Sequence, residues 1–137
     1  MPRKPLIRTA DYPYHIYARS NNREHFYLPT DEMWQLFTQN LERVFLKFEL
    51  KIFCFVLMKN HFHILIQTPH ANIDQVMHSL IHKLSLEVGR NTGRINKIFG
   101  GRYKWSLIKN QSYFYAVYRY IYQNPLRANI CARIEKY

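Results

Sequence analysis

His61, His63, Tyr120 and Asn124 are the residues whose types and spacing could do chemistry together. His61 and His63 lie in Val56-Leu57-Met58-Lys59-Asn60-His61-Phe62-His63-Ile64-Leu65-Ile66. Successive strand side chains point to opposite faces, so on a strand the two imidazoles project from one face, a pleat apart. Imidazoles so placed can share one metal ion, and imidazole suits first-row metals better than magnesium. The other stretch is Ser112-Tyr113-Phe114-Tyr115-Ala116-Val117-Tyr118-Arg119-Tyr120-Ile121-Tyr122-Gln123-Asn124. On a helix, Tyr120 and Asn124 stand at i and i+4 and share a face. A tyrosine hydroxyl is a competent nucleophile once it is activated or the charge it attacks is stabilised. An amide oxygen can complete a metal shell beside two histidines. Each pattern alone also fits a plainer role: polar residues at a strand start, and an aromatic helix whose spare tyrosines pack or touch phosphates.

Around these residues the apolar pattern spells out elements. Ile52–Met58 and Phe62–Ile66 are aromatic and branched runs either side of a Lys59-Asn60 break, as in a hairpin of buried strands. Tyr14–Arg19 alternates as a strand, and Ser20–Arg23 reads as a turn. A helix is expected from a Thr30 or Asp31 cap, with Met33, Leu36, Phe37, Leu41, Val44, Phe45 and Phe48 at helical spacing. Another starts near Asn72 or Asp74 with Val76, Leu80, Ile81, Leu84 and Val88 as its stripe. Gly89–Gly101 reads as a basic loop and Tyr103–Ile108 as the fourth strand. A last helix is capped at Asn110 or Ser112 and is expected to end near Asn124, because Pro125 disfavours helix before it. On that helix Phe114, Val117, Tyr118 and Ile121 suit the core.

This order predicts an α+β, ferredoxin-like (split βαβ) antiparallel sheet with two helices on one face and an additional C-terminal helix. At 137 residues the chain reads as a single domain, with residues 1–10 a loose basic arm and 126–137 a basic tail compatible with helix. No apolar run is long enough to span a membrane. The N-terminus is basic without an apolar signal core, so a cytoplasmic, nucleoid-associated location is expected. Cys54 and Cys131 read as separate thiols, Cys54 in the core.

Twenty Lys and Arg against nine Asp and Glu give a formal charge of +11, which favours a polyanionic partner such as nucleic acid. Eleven Tyr and nine Phe offer rings that stack on unpaired bases, although many must fill the core.

Four segments, in order, resemble the single-tyrosine HUH transposase family, above all the transposase-like proteins associated with repetitive extragenic palindromes. They are Tyr14-His15-Ile16-Tyr17-Ala18-Arg19-Ser20-Asn21-Asn22-Arg23, the stretch from Phe55 to Ile66, Gly101-Arg102-Tyr103-Lys104, and Arg119-Tyr120-Ile121-Tyr122-Gln123-Asn124-Pro125-Leu126-Arg127-Ala128. The resemblance implies metal-dependent nicking and rejoining of single-stranded or hairpin DNA through a 5′-phosphotyrosine. It puts the histidine pair on His61 and His63, the nucleophile on Tyr120 and the third metal ligand on Asn124. One divalent ion, Mg2+ or Mn2+, is implied; the neutral imidazole and amide set favours manganese on ligand grounds. Lys59 stands where many relatives have Pro, and Asn129 where they often have Gly. A monomer or a homodimer is expected.

Arg23, Arg102, Lys104, Arg119 and Arg127 are candidate phosphate contacts. His78 and His82, at i and i+4, form a weaker metal candidate that also reads as a polar helix face. No general base for Tyr120 is evident. Two other functions fit: a non-catalytic hairpin DNA- or RNA-binding protein of the same fold, and a metal-dependent nuclease using water. Tyr113 and Tyr122 compete with Tyr120 as nucleophile.

Overall fold

The computed structural model describes residues 5–94, 97–128 and 132–133, with 122–128 and 132–133 described by backbone alone. The elements run β1 (Tyr14–Arg19), α1 (Thr30–Phe48), β2 (Lys51–Leu57), β3 (His61–Gln67), α2 (Ile73–Thr92), β4 (Lys104–Leu107), α3 (Gln111–Ala128) and β5 (Ala132–Arg133). A short 3-10 turn, Asn21–Arg23, follows β1. The strands form one sheet in the order β4-β1-β3-β2-β5, every pairing antiparallel. This is the expected ferredoxin-like arrangement, extended by the β5 edge.

Strand alternation sorts the residues onto two faces. Even-numbered positions of β1 and β3 (Tyr14, Ile16, Ala18; Phe62, Ile64, Ile66) join Phe55 and Leu57 against α1 and α2. Those helices supply Met33, Phe37, Leu41 and Val44, then Ile73, Val76, Met77, Leu80, Leu84 and Val88. Phe37 sits at the centre, its ring 5.0 Å from Phe62 and 5.5 Å from Phe55. The opposite face carries a smaller cluster in which Val117 and Ile121 of α3 meet Cys54, Val56 and Leu65. Fully burying two such side chains stabilises by about 3–6 kcal/mol. That is a modest anchor for a helix, and Tyr113, Tyr115 and Tyr120 along it remain exposed. A register shift between Ile52 and Cys54 turns Phe53 and Cys54 together toward α3, where Phe53 meets Phe114 edge-on.

Several sequence expectations are corrected. Helix α2 continues through Gly89 to Thr92, because Val88 is fully buried and holds that turn on the core. It stops at Gly93, whose φ of +70° suits the left-handed cap. Helix α3 runs through Pro125 to Ala128. Pro125 there forgoes one backbone hydrogen bond and crowds the carbonyl four residues back, a cost of about 3 kcal/mol that the helix carries. Of the basic tail, residues 126–128 belong to α3, while 132–133 form β5 and pair with Cys54 and Phe55. The cap of α1 is Pro29 in place of Thr30 or Asp31, whereas α2 starts after Asn72 as expected; neither cap makes a side-chain capping bond. Residues 5–10 are tied down: Leu6 packs on the core, Arg8 pairs with Asp74 at 2.9 Å, and Tyr14 donates to the Ile7 carbonyl. Cys54 is buried as expected; Cys131 lies outside the described residues.

Candidate active site

The α3 face of the sheet carries the candidate residues. His61 and His63 share it, with ring centroids 5.2 Å apart. In the β1–β3 register Tyr17 lies opposite His63 and Arg19 opposite His61. His15, Tyr17 and Arg19 therefore share the histidine face, while their neighbours Ile16 and Ala18 enter the core.

Each histidine has a partner at Nδ1. His61 Nδ1 lies 2.8 Å from Asn60 Oδ1, and Asn60 Nδ2 donates to the Arg23 carbonyl at 3.1 Å. That second bond fixes which way the amide faces, so its oxygen accepts the His61 Nδ1–H and the Nε2 lone pair is left over. His63 Nδ1 lies 2.9 Å from His15 Nε2. The segment after β1 also clamps the β2–β3 turn by backbone: Ser20 N–H donates to Asn60 O at 2.8 Å and Phe26 N–H to Lys59 O at 2.7 Å. These bonds make the start of β3 a rigid place from which to present His61.

Both imidazoles stay neutral. Burial pushes His63 down to about 3, with His15, His61 and Arg19 adding to the shift. Burial pushes His15 down to about 4. Burial, then the Arg19 charge, lowers His61. Neutral imidazole is the metal-binding form, so the donor chemistry fits a first-row divalent cation. Among the described residues no group of three or more His, Cys, Asp or Glu is gathered for a metal.

Helix α3 brings Tyr120 to His63. Its ring is 6.1 Å from that of His63, at 88°, and Tyr120 is 57% exposed. Tyr113, seven residues earlier, is displaced along the axis by about 10 Å. Asn124 follows Tyr120 within α3, but its side chain, like those of Tyr122 and Arg127, lies outside the described residues. His78 and His82 stack at 5.5 Å on α2, across the sheet from the histidine pair, and no third ligand gathers there among the described residues.

Beside the site lies a cavity of about 920 Å³. Arg23, Arg102 and Lys104 all line it, together with Tyr17, Arg19 and Trp105. It reaches the histidines through Tyr17, whose ring is 5.5 Å from His63. Its wall is tight at Gly100, where an added Cβ would come within 3.1 Å of the Ser20 carbonyl. Elsewhere, Arg94 lies over the Tyr27 ring at 3.8 Å and pairs with Glu24 at 3.6 Å. Arg119 is exposed on α3, apart from the cavity lining. His15, Tyr17 and Arg19 carried no role in the sequence reading. The alternation of Tyr14–Arg19 was the signal that put them on one face.

The fold is shared with DNA transposases. A structure of a REP-associated tyrosine transposase bound to a REP hairpin is similar at 17% identity, over 93% of this chain and 74% of that one, with a TM-score of 0.79. A structure described as a transposase from Deinococcus radiodurans R1 is similar at 13% identity, over 90% and 95% of the two chains, with a TM-score of 0.58. The model of the IS200-like transposase family matches residues 8–124, and the chain belongs to that family. No curated protein matches it. Among the described residues no helix is long and apolar enough to cross a membrane.

Proposed function

We propose that this chain nicks and rejoins single-stranded DNA at hairpins, with Tyr120 as nucleophile and a divalent ion held by His61, His63 and Asn124. The observation that carries the reading is the exposed Tyr120 ring edge-on to that of His63, which itself neighbours the His61 ring. Manganese and magnesium are the candidate ions, manganese fitting the donors better. When bound, such an ion polarises the scissile phosphate and offsets charge on its non-bridging oxygens.

The chain's own residues do the rest. Tyr120 Oη loses its proton and forms a bond to phosphorus as the bond to the 3′ oxygen breaks. That oxygen takes up a proton and leaves as a 3′-hydroxyl, while the 5′-phosphate stays on the tyrosine. Rejoining reverses both steps and needs no ATP, since the phosphodiester energy is kept in the covalent link. Arg19 stands beside His61 on the same face, where a guanidinium suits a phosphate oxygen. The cavity lined by Arg23, Arg102 and Lys104 offers the strand a cationic path, and Tyr17 and Trp105 offer rings for unpaired bases. The hairpin-bound relative of the same fold supports a hairpin as the substrate form.

The test is incubation with single-stranded hairpins from the flanks of the protein's own gene, labelled on the 3′ side of the cut, followed by denaturing electrophoresis. A labelled protein band that needs Mn2+ or Mg2+ is expected. Cleavage with no protein-linked label would replace this reading with a nuclease that uses water.

A further inference from the structure

We infer that His15 is a positioning residue for the histidine pair: its Nε2 accepts the Nδ1–H of His63 and so leaves the His63 Nε2 lone pair for a divalent first-row cation. The inference rests on the proposed ligand role of His61 and His63.

The argument starts from the register. His15 lies opposite Leu65 and Tyr17 opposite His63, so His15 and His63 are diagonal neighbours on one face of adjacent strands. Diagonal partners are separated by about 7–8 Å at the backbone, within reach of two rings. The rings meet at 2.9 Å between His15 Nε2 and His63 Nδ1. His63 is only 5% exposed, and a buried ring nitrogen without a partner is costly.

Two neutral imidazoles share one proton in such a bond, so it has two forms. If His15 donates, His63 carries its proton on Nε2 and has no lone pair there for a cation. If His63 donates, its Nε2 is free and His15 holds its own proton on Nδ1. Asn60 already imposes the second form on His61, because an amide oxygen can only accept. With His15 as acceptor, both rings of the pair present Nε2. Isolated imidazole side chains prefer the proton on Nε2, so this arrangement has to be held by the protein. Partners of this kind fix ring orientation and tautomer, and losing one typically costs about 10–100-fold in metal affinity.

The experiment uses full-length protein labelled with 15N-histidine, as wild type, His15→Phe and His15→Gln. Phe keeps a ring but cannot accept a hydrogen bond; the Gln amide oxygen can. Nitrogen chemical shifts of His63 are read first in metal-free protein. The expected result is a proton on Nδ1 in wild type, a move toward Nε2 in His15→Phe, and a return in His15→Gln. Manganese titration followed by electron paramagnetic resonance should then show affinity about 10–100-fold lower in His15→Phe and largely restored in His15→Gln. Thermal melting and metal-free hairpin binding accompany both variants. An unchanged His63 tautomer in His15→Phe overturns the inference. So does a His15→Gln variant that folds like wild type yet binds manganese as poorly as His15→Phe. Absence of manganese binding in wild type overturns the ligand role of the pair instead, while the metal-free tautomer still decides what His15 does to His63.

Discussion

The Tyr120 ring stands at 88° to that of His63, with centroids 6.1 Å apart. Tyr120 is 57% exposed, so its side chain contributes little to packing. Tyr120→Phe keeps the ring and removes one oxygen. It should abolish the covalent DNA adduct, change stability by about 0.5 kcal/mol or less, and leave hairpin affinity intact. Denaturing electrophoresis and a thermal melt check this. An adduct that survives the substitution moves the nucleophile to Tyr113 or Tyr122.

Asn60 holds His61 Nδ1 and is itself held by the Arg23 carbonyl. Asn60→Ala removes both bonds at once. Manganese affinity should fall about 10–100-fold. Stability should fall by about 1–2 kcal/mol, as expected for lost hydrogen bonds near a turn. Calorimetric titration and denaturant unfolding measure the two effects separately. Undiminished metal binding would mean that the Asn60 contact does not orient His61.

Arg102 and Lys104 line the cavity beside the histidines with Arg19 and Arg23. If both meet phosphates, the double substitution to Ala weakens single-strand binding and flattens its salt dependence by about 1.4 in the log–log slope, at about 0.7 per contact. Fluorescence anisotropy at several salt concentrations reads this. A weaker complex with an unchanged slope would assign these residues to shaping the cavity instead.

His15 and His63 are held below the ordinary histidine value, at about 4 and about 3, chiefly by burial. The unfolded chain takes up protons on both near pH 6.5, while the folded chain does not until pH is much lower. Their contribution to stability is thus complete above the unfolded value and is lost as pH falls from 6.5 toward about 4 and 3. In metal-free protein near pH 5, this pair should add about two protons taken up on unfolding. Denaturant unfolding across pH 5–8, in chelator, gives the slope. His15→Phe should reduce the uptake by about one proton, and an identical slope would contradict the assignment.

Phe37 joins α1 to the sheet through Phe55 and Phe62, and to Phe26 and Phe99 across the loops that flank the site. Phe37→Ala should cost about 3–5 kcal/mol, seen as a lower unfolding midpoint. A loss under 1 kcal/mol would mean that the neighbouring rings collapse into the space.

Much of the architecture is legible in the sequence because each element's pattern is local. Period-two alternation sorts His61 and His63 from Phe62 and Ile64, and helical spacing separates Val117 and Ile121 from Tyr120. These are properties of one strand or one helix, so no fold is needed to read them. The errors fell where local signals compete with packing. Gly89 looked like a helix end, but the buried Val88 carries α2 past it. Pro125 looked like a stop, yet α3 continues to Ala128.

What the tertiary structure alone decided is who meets whom across strands and helices. The chain separates His15 from His63 by 48 residues, and nothing local pairs them. Their contact follows from the β1–β3 register, which is set by burying Tyr14, Ile16 and Ala18 together with Phe62, Ile64 and Ile66. The same register sets Arg19 opposite His61 and opens the cavity along Tyr17. Tyr120 reaches His63 because α3 seats Val117 and Ile121 on Cys54, Val56 and Leu65. Periodicity tells each element which face to bury; only the joint burial of those faces fixes the distances between side chains on the other side.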